Sequence, residues 1–144
     1  MLQERDFTGI LDIFGKKDVS DDLTKGVPFS MKLTFRPYRL AARKNDAVDL
    51  IVELENKTDA TLLVSVVVGV PKALGFDEIG MNKVREMRVG LMKGREKKEI
   101  AVPIYGHNQT VAGDYTVRVV VYSHYRDYAH VLNSVKKDTF LRAV

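Results

Sequence analysis

Residues 112–121 read AGDYTVRVVV, the clearest strand pattern in this chain of 144 residues. Every second side chain from Tyr115 to Val121 is apolar, as in a β-strand with one face in a core, because successive side chains point to opposite sides. Gly113 and Asp114, which precede this run, are residue types that favour turns. The segment therefore predicts a strand that begins directly after a turn.

The same alternation recurs from Phe29 onward. Apolar residues occupy every second position in 31–35, 48–54 and 62–70, and the short segment 85–91 also alternates. Segment 96–104 has Ile100, Val102 and Ile104 on one face, and 134–144 is expected to be the final strand. Segment 62–70 is apolar on both faces, which predicts a largely buried strand. Pro103 cannot donate to a ladder, so its strand is expected at a sheet edge or a bulge. About seven short strands with turns between them predict an all-β, immunoglobulin-like antiparallel β-sandwich of residues 29–144.

Residues 1–28 follow a different period. Their apolar residues recur at roughly helical spacing among acidic ones: Leu2, Phe7, Ile10, Leu11 and Phe14. Gly15 is well placed to end such a helix. We therefore expect a helical and loop leader over residues 1–28. Its apolar side chains are expected to pack on the sandwich or a sister subunit, or to dock on a partner protein. A membrane surface is disfavoured because the leader has more acids than bases.

The composition excludes several classes of site. The chain contains no cysteine, so it has no disulfide, no zinc–thiolate site and no cysteine nucleophile. No apolar run approaches the roughly 20 residues of a membrane-spanning helix, and the N-terminus lacks a signal-peptide pattern. We expect a soluble, cytoplasmic protein. Charged residues of both signs make up 29% of the chain, as on thermostable surfaces.

The charge is unevenly distributed. Residues 1–28 contain six acidic and four basic residues, whereas the remainder contains 13 acidic and 19 basic residues. The positively charged remainder of the chain could bind nucleic acid or another acidic surface. Two basic groups would form one patch if their turns were neighbours: Arg36, Arg39, Arg43 and Lys44, and Lys93, Arg95, Lys97 and Lys98. A solvated face of mixed charge accounts for the same residues.

The order of turns and strands is similar to the CARDB and NEW3 families of immunoglobulin-like domains, many of them archaeal or bacterial. The matching segments cover about residues 45–125: Val52-Glu53-Leu54-Glu55-Asn56, Val70-Pro71, Gly75-Phe76, Leu91 with Gly94 and Glu96, Val102-Pro103, and Ala112-Gly113-Asp114-Tyr115. The resemblance implies spacer, adhesion or accessory roles. Gly113 before Tyr115 also resembles the turn of a tyrosine corner, in which the phenol bonds an upstream backbone group.

The most unusual segment is 122–130, which contains three tyrosines and two histidines. It is expected to form the loop between the last two strands. Exposed aromatic residues beside arginine favour protein contacts, so the candidate contacts here are Tyr122, His124, Tyr125, Arg126 and Tyr128. Alternatively, Tyr125 and Tyr128 cover the open end of the sandwich. A metal site of His124, Asp127 and His130 is weaker, because that spacing suits a helical turn.

Other polar patterns have simpler explanations. Asp49, Glu53 and Glu55 share one strand face. Paired carboxylates there could act as acid and base, or they could simply form a solvent-exposed outer face of the sheet. Asn56-Lys57-Thr58 and Asn108-Gln109-Thr110 match the glycosylation pattern but suit turns.

We therefore expect a non-enzymatic protein–protein interaction or assembly module with no metal and no cofactor. The expected contacts are the loop 122–130 and the leader residues Phe7, Ile10, Leu11 and Phe14. A homo-oligomer is compatible with this function, since sheet edges need cover. The alternatives are an electrostatic binder of nucleic acid or another acidic surface, and a carbohydrate-binding accessory module.

Overall fold

A computed structural model describes residues 29–144, in which eight strands form two sheets. The strands are β1 (Phe29–Arg36), β2 (Arg39–Leu40), β3 (Ala47–Asn56), β4 (Leu62–Gly69), β5 (Val84–Met92), β6 (Lys97–Tyr105), β7 (Gly113–His124) and β8 (Val131–Ala143). One sheet has the order β1-β3-β6 and the other β2-β8-β7-β4-β5. The predicted all-β sandwich is confirmed for these residues. The predicted leader, residues 1–28, lies outside the described residues.

The core lies between the two sheets, where the alternating apolar residues meet. It includes Val48, Leu50, Val52 and Leu54 of β3, Val64, Val66 and Val68 of β4, and Val117, Val119 and Val121 of β7. A fully buried side chain of this size contributes about 1.5–3 kcal/mol of transfer free energy. Strand β6, which contains Pro103, lies at the edge of the three-stranded sheet, as expected for a proline-containing strand.

Two details differ from the sequence-based expectation. The structure has an eighth strand, β2, which is only two residues long and therefore has no recognisable period. It pairs parallel to β8, with Arg39 opposite Arg142 and Leu40 opposite Ala143, so the sandwich is not wholly antiparallel. Strand β8 begins at Val131 and not at Ser134, because pairing with β7 continues past a bulge at Ser123 and His124.

The strand registers place the connections at two ends of the sandwich. At one end β3 finishes at Asn56, β4 starts at Leu62 and β7 finishes at His124; we call this the hairpin end, after the β7–β8 hairpin. At the opposite end Gly69 pairs with Val84.

Asn56 fixes the chain at the hairpin end. Its side chain is fully buried, and its amide nitrogen donates to the carbonyls of Ala60 (2.8 Å), Met92 (3.2 Å) and Lys93 (3.0 Å). Its amide oxygen accepts from the backbone nitrogen and the hydroxyl of Thr58, at 3.0 and 2.7 Å. The predicted turn is therefore held by a buried polar network, and this Asn-x-Thr sequence has a structural role.

Tyr115 forms the predicted tyrosine corner at the opposite end. Its hydroxyl donates to the carbonyl of Val111 at 2.6 Å. The bond ties the start of β7 to the preceding connection, as the corresponding tyrosine does in immunoglobulin-like sandwiches.

Candidate interaction surface

The segment between β7 and β8 forms the predicted hairpin. The backbone nitrogen of Tyr125 donates to the carbonyl of His130 (2.8 Å), and that of Asp127 donates to the carbonyl of Tyr125 (2.8 Å). The Asp127 carboxylate accepts from the backbone nitrogen of Ala129 (3.0 Å) and contacts Nδ1 of His130 (2.7 Å). Arg126 has a φ of 70°, a left-handed conformation that tightens the turn. The turn from Tyr125 to His130 is thus held by its own hydrogen bonds.

A row of side chains crosses the outer face of the five-stranded sheet beside this turn. The registers pair Leu91 with Leu63, Leu63 with His124, and His124 with Val131. Directly paired residues share one face of a sheet. The side chains of Leu91 and Val131 are 64% and 53% exposed, and Leu132 and Tyr125 beside them are 54% and 51% exposed. We call these four residues, with half-buried Leu63, the hairpin-end surface. It contains large apolar side chains that the fold leaves in contact with water.

A small second cluster lies farther along the same strands, on the same face. Val67, Val120 and Tyr122 pack together on the outer face, apart from the main core. The ring of His124 lies 6.1 Å from that of Tyr122 and 5.1 Å, edge-on, from that of Tyr128. This cluster explains why the two-sided apolar pattern of β4 gives a strand buried on both faces.

The candidate contact residues of segment 122–130 therefore lie in two layers. Tyr122 and His124 are buried, Tyr128 is half-buried, and Tyr125 and Arg126 are exposed. The Arg126 guanidinium lies 5.0 Å from the centre of the Tyr125 ring, and a second arginine, from β5, covers the Tyr128 ring. Such contacts orient exposed aromatic rings. Phe7, Ile10, Leu11 and Phe14 lie outside the described residues.

The imidazole of His124 contacts a hydroxyl group on β4. Its Nε2 lies 2.7 Å from the hydroxyl oxygen of Ser65, while Nδ1 is buried and has no hydrogen-bond partner among the described residues. Burial lowers the pKa of His124 because the charged form loses its hydration. A Ser–His pair can activate a nucleophile, but the Ser65 side chain is buried and a substrate would not reach it in this conformation.

The histidines of the hairpin are engaged separately. His130 contacts Asp127, whereas His124 contacts Ser65. Within residues 29–144, no group of three or more His, Cys, Asp or Glu side chains is placed to hold a metal ion. The same residues include no helix that is long and apolar enough to cross a bilayer.

The carboxylates of β3 face outward among basic residues. In the strand registers Asp49 lies opposite Arg36 of β1, and Glu55 lies opposite Lys97 of β6. Glu53 lies between Lys32 of β1 and Glu99 of β6. Opposite charges on directly opposed positions of neighbouring strands are favourable, whereas like charges such as Glu53 and Glu99 are not. The arrangement is that of a solvated outer face.

The two basic groups considered from the sequence do not meet. Arg36 pairs with Asp49 at one end of β3, whereas Lys97 pairs with Glu55 at the other. Six residues of extended strand separate these positions by about 20 Å. The structure therefore does not join the two groups into one patch.

The residues that sequence reasoning did not single out are Leu63, Leu91, Val131 and Leu132. Single exposed apolar residues are ordinary on a protein surface. What distinguishes these is their grouping on three strands, β4, β5 and β8, at one end of the sheet, which depends on the registers. The one sequence feature that could have indicated this surface is the pattern of β4, which is apolar on both faces.

No family model matches this sequence, and none of the curated proteins matches it. Among solved structures, the chain is similar to a FixG-related protein from Vibrio parahaemolyticus, with a TM-score of 0.53 and 7% identity over 81% of this chain and 97% of that one. The fold is an immunoglobulin-like β-sandwich. A chain of the complex between zinc 2-glycoprotein and prolactin-inducible protein from human seminal plasma has a TM-score of 0.55 and 13% identity, over 82% of this chain and 95% of that one.

A CARDB domain from Pyrococcus furiosus is similar at a TM-score of 0.47 and 14% identity, over 81% of this chain and 85% of that one. A likeness of this size carries no family assignment. The two-sheet architecture and the likeness to the FixG-related protein support the immunoglobulin-like fold that the sequence resemblance implies, and membership of CARDB or NEW3 is not shown.

Proposed function

We propose that this chain is a non-enzymatic protein–protein interaction or assembly module that binds through the hairpin-end surface. The observation that carries the proposal is the alignment of exposed Leu91, Leu132 and Val131 with Tyr125 at one end of the five-stranded sheet. Burying such a group of side chains against a partner removes apolar area from water at about 25 cal/mol per Å².

The chemistry of the surface favours a partner with an apolar centre and a polar rim. Tyrosine and arginine are enriched among residues that dominate binding energy, and Tyr125 and Arg126 stand side by side at the tip of the hairpin. The hairpin is held by its own hydrogen bonds, so binding would order few additional groups. The leader residues Phe7, Ile10, Leu11 and Phe14 remain proposed contacts with the same partner or with a sister subunit.

The test compares two matched sets of serine substitutions in the full chain. The first set is Leu91→Ser, Val131→Ser and Tyr125→Ser. The control set is Ile79→Ser and Met81→Ser, which change exposed apolar residues of the connection at the opposite end. Circular dichroism and urea denaturation first establish that each variant is folded.

Self-association is measured by light scattering across a concentration series, and partner binding by capture from nuclease-treated host lysate at about 50 and 200 mM salt. We expect binding that survives the higher salt, is lost in the first set and is retained in the controls. Equal binding by both sets would refute the surface. Binding that disappears at the higher salt would instead support the electrostatic alternative.

A further inference from the structure

We propose that His124 is a proton-sensitive latch: protonation of its buried imidazole releases the turn from Tyr125 to His130 from the outer face of the five-stranded sheet. The release requires no partner. Only its effect on binding rests on the proposed function, because Tyr125 lies in both the turn and the hairpin-end surface.

The latch is built from four elements. β7 supplies His124, which is 6% exposed. β4 supplies Ser65, whose hydroxyl contacts Nε2. The turn supplies Tyr128, whose ring meets the imidazole edge-on, and β5 supplies Arg88, whose guanidinium lies 4.7 Å from the centre of the Tyr128 ring. Tyr128 is thus clamped between a histidine and an arginine.

The hydrogen bonds of the imidazole favour its neutral form. A neutral ring has one donor and one acceptor nitrogen, and Ser65 can satisfy Nε2 as either. Nδ1 has no partner, so in the neutral ring its lone pair can stay unpaired at modest cost. A protonated ring would place a charged N–H at this buried position. The closed turn gives this N–H no hydrogen bond. The His130 carbonyl and Glu86 favour the charged form, but burial outweighs them, because a buried charge that is incompletely hydrogen-bonded costs much more than an unpaired neutral acceptor.

Charged groups reach His124 from β5 and from the turn. Burial is the main cause of its lowered pKa, and the positive charge of Arg88 acts in the same direction. Glu86, Asp127 and the carbonyl of His130 act in the opposite direction. Asp127 is already engaged with His130. The paired residues on β4 and β8, Leu63 and Val131, carry no charge.

Release of the turn relieves this cost. The turn keeps its internal hydrogen bonds, so it can move as a unit when Tyr128 leaves the imidazole. Water then reaches His124, and its pKa returns toward the ordinary value of about 6.5. Because the closed form has the lower pKa, it is fully favoured above about pH 6.5 and loses stability as the pH falls toward the closed-form pKa. The opening equilibrium rises about tenfold for each unit by which the two pKa values differ.

The experiment is an NMR titration of the full chain between about pH 4 and 7.5, which extends below the range in which an unperturbed histidine titrates. Imidazole C–H shifts give the pKa of His124, and protection factors of the Tyr125 and His130 amides give the opening of the turn. We expect His124 to titrate below the ordinary range and protection to fall with its protonation. Linkage requires the fold-change in opening to match the measured pKa difference.

Two variants separate the latch from other titrations. His124→Gln can still bond Ser65 but cannot take a charge, so turn protection should become independent of pH. His130→Gln should keep the pH response, because that response depends on the imidazole of His124. Protection that does not change with pH, or a pH response that persists in His124→Gln, would overturn the latch. A turn that opens without altering partner binding would support the latch and refute the turn's part in the proposed surface.

Discussion

Replacing Asn56 by alanine tests whether one buried amide organises the hairpin end. The side chain contacts three backbone carbonyls and two groups of Thr58. Alanine would leave at least one buried carbonyl and one backbone N–H without partners, at about 1–3 kcal/mol for each buried unsatisfied group. We expect a total loss of about 3 kcal/mol in the free energy of unfolding.

The assay is urea denaturation followed by circular dichroism, with Asn108→Ala as the matched control. Asn108 begins the other Asn-x-Thr sequence but is exposed, so its replacement should change the unfolding free energy by less than about 0.5 kcal/mol. Asn56→Asp adds a second comparison. It would turn a carboxylate oxygen toward the carbonyls, so its destabilisation should exceed that of alanine at neutral pH and shrink as the carboxylate is protonated. An Asn56→Ala variant as stable as the Asn108→Ala control would refute the view that the Asn56 amide organises the hairpin end.

Three further outcomes follow from single contacts. Tyr115→Phe removes the hydroxyl of the tyrosine corner and should cost about 1 kcal/mol in denaturant unfolding; no loss would show that the bond is energetically neutral. Gly94→Ala would place a Cβ 2.5 Å from the carbonyl oxygen of Asp59, and thermal unfolding should report a loss of about 1–3 kcal/mol; a wild-type midpoint would contradict this steric argument. The Arg142 guanidinium beside Asp114 lowers the pKa of that carboxyl, so the pair stabilises the fold above about pH 4 and its contribution is lost as the pH falls. In Asp114→Asn the free energy of unfolding should therefore decrease less steeply at acid pH; an unchanged decrease would show that the pair does not contribute.

The strands were predictable from the sequence because alternation reports burial on one face. The residues of β3 and β7 that alternate in the sequence are those that fill the core. Pro103 correctly indicated an edge strand, and the turn before Tyr115 indicated its corner. Strand β2 was not predictable, because two residues such as Arg39 and Leu40 carry no period and pair only through a contact with the distant end of β8.

The candidate surface was predictable only in part. Segment 122–130 was singled out by its composition, but composition does not separate Tyr122, which is buried, from Tyr125, which is exposed. Tyr122 is buried because it packs with Val67 and Val120 on the outer face, whereas Tyr125 lies in the turn beyond the end of β7. The environment of His124 depends on Ser65, 59 residues earlier in the chain. Contacts of this kind are fixed by strand register, which a single sequence specifies weakly for a strand such as β4 that is apolar on both faces.

The shortness of β2 also bears on aggregation. Among the described residues, β2 pairs only with Arg142 and Ala143, which leaves the preceding part of β8 with an open hydrogen-bonding edge. Such an edge is a template for fibril-like stacking of identical strands. Lys136 and Lys137 lie near its middle, so antiparallel pairing of two copies centred there would set lysine against lysine. We expect these charges to oppose such stacking, and replacing both with apolar residues should make the edge more prone to it.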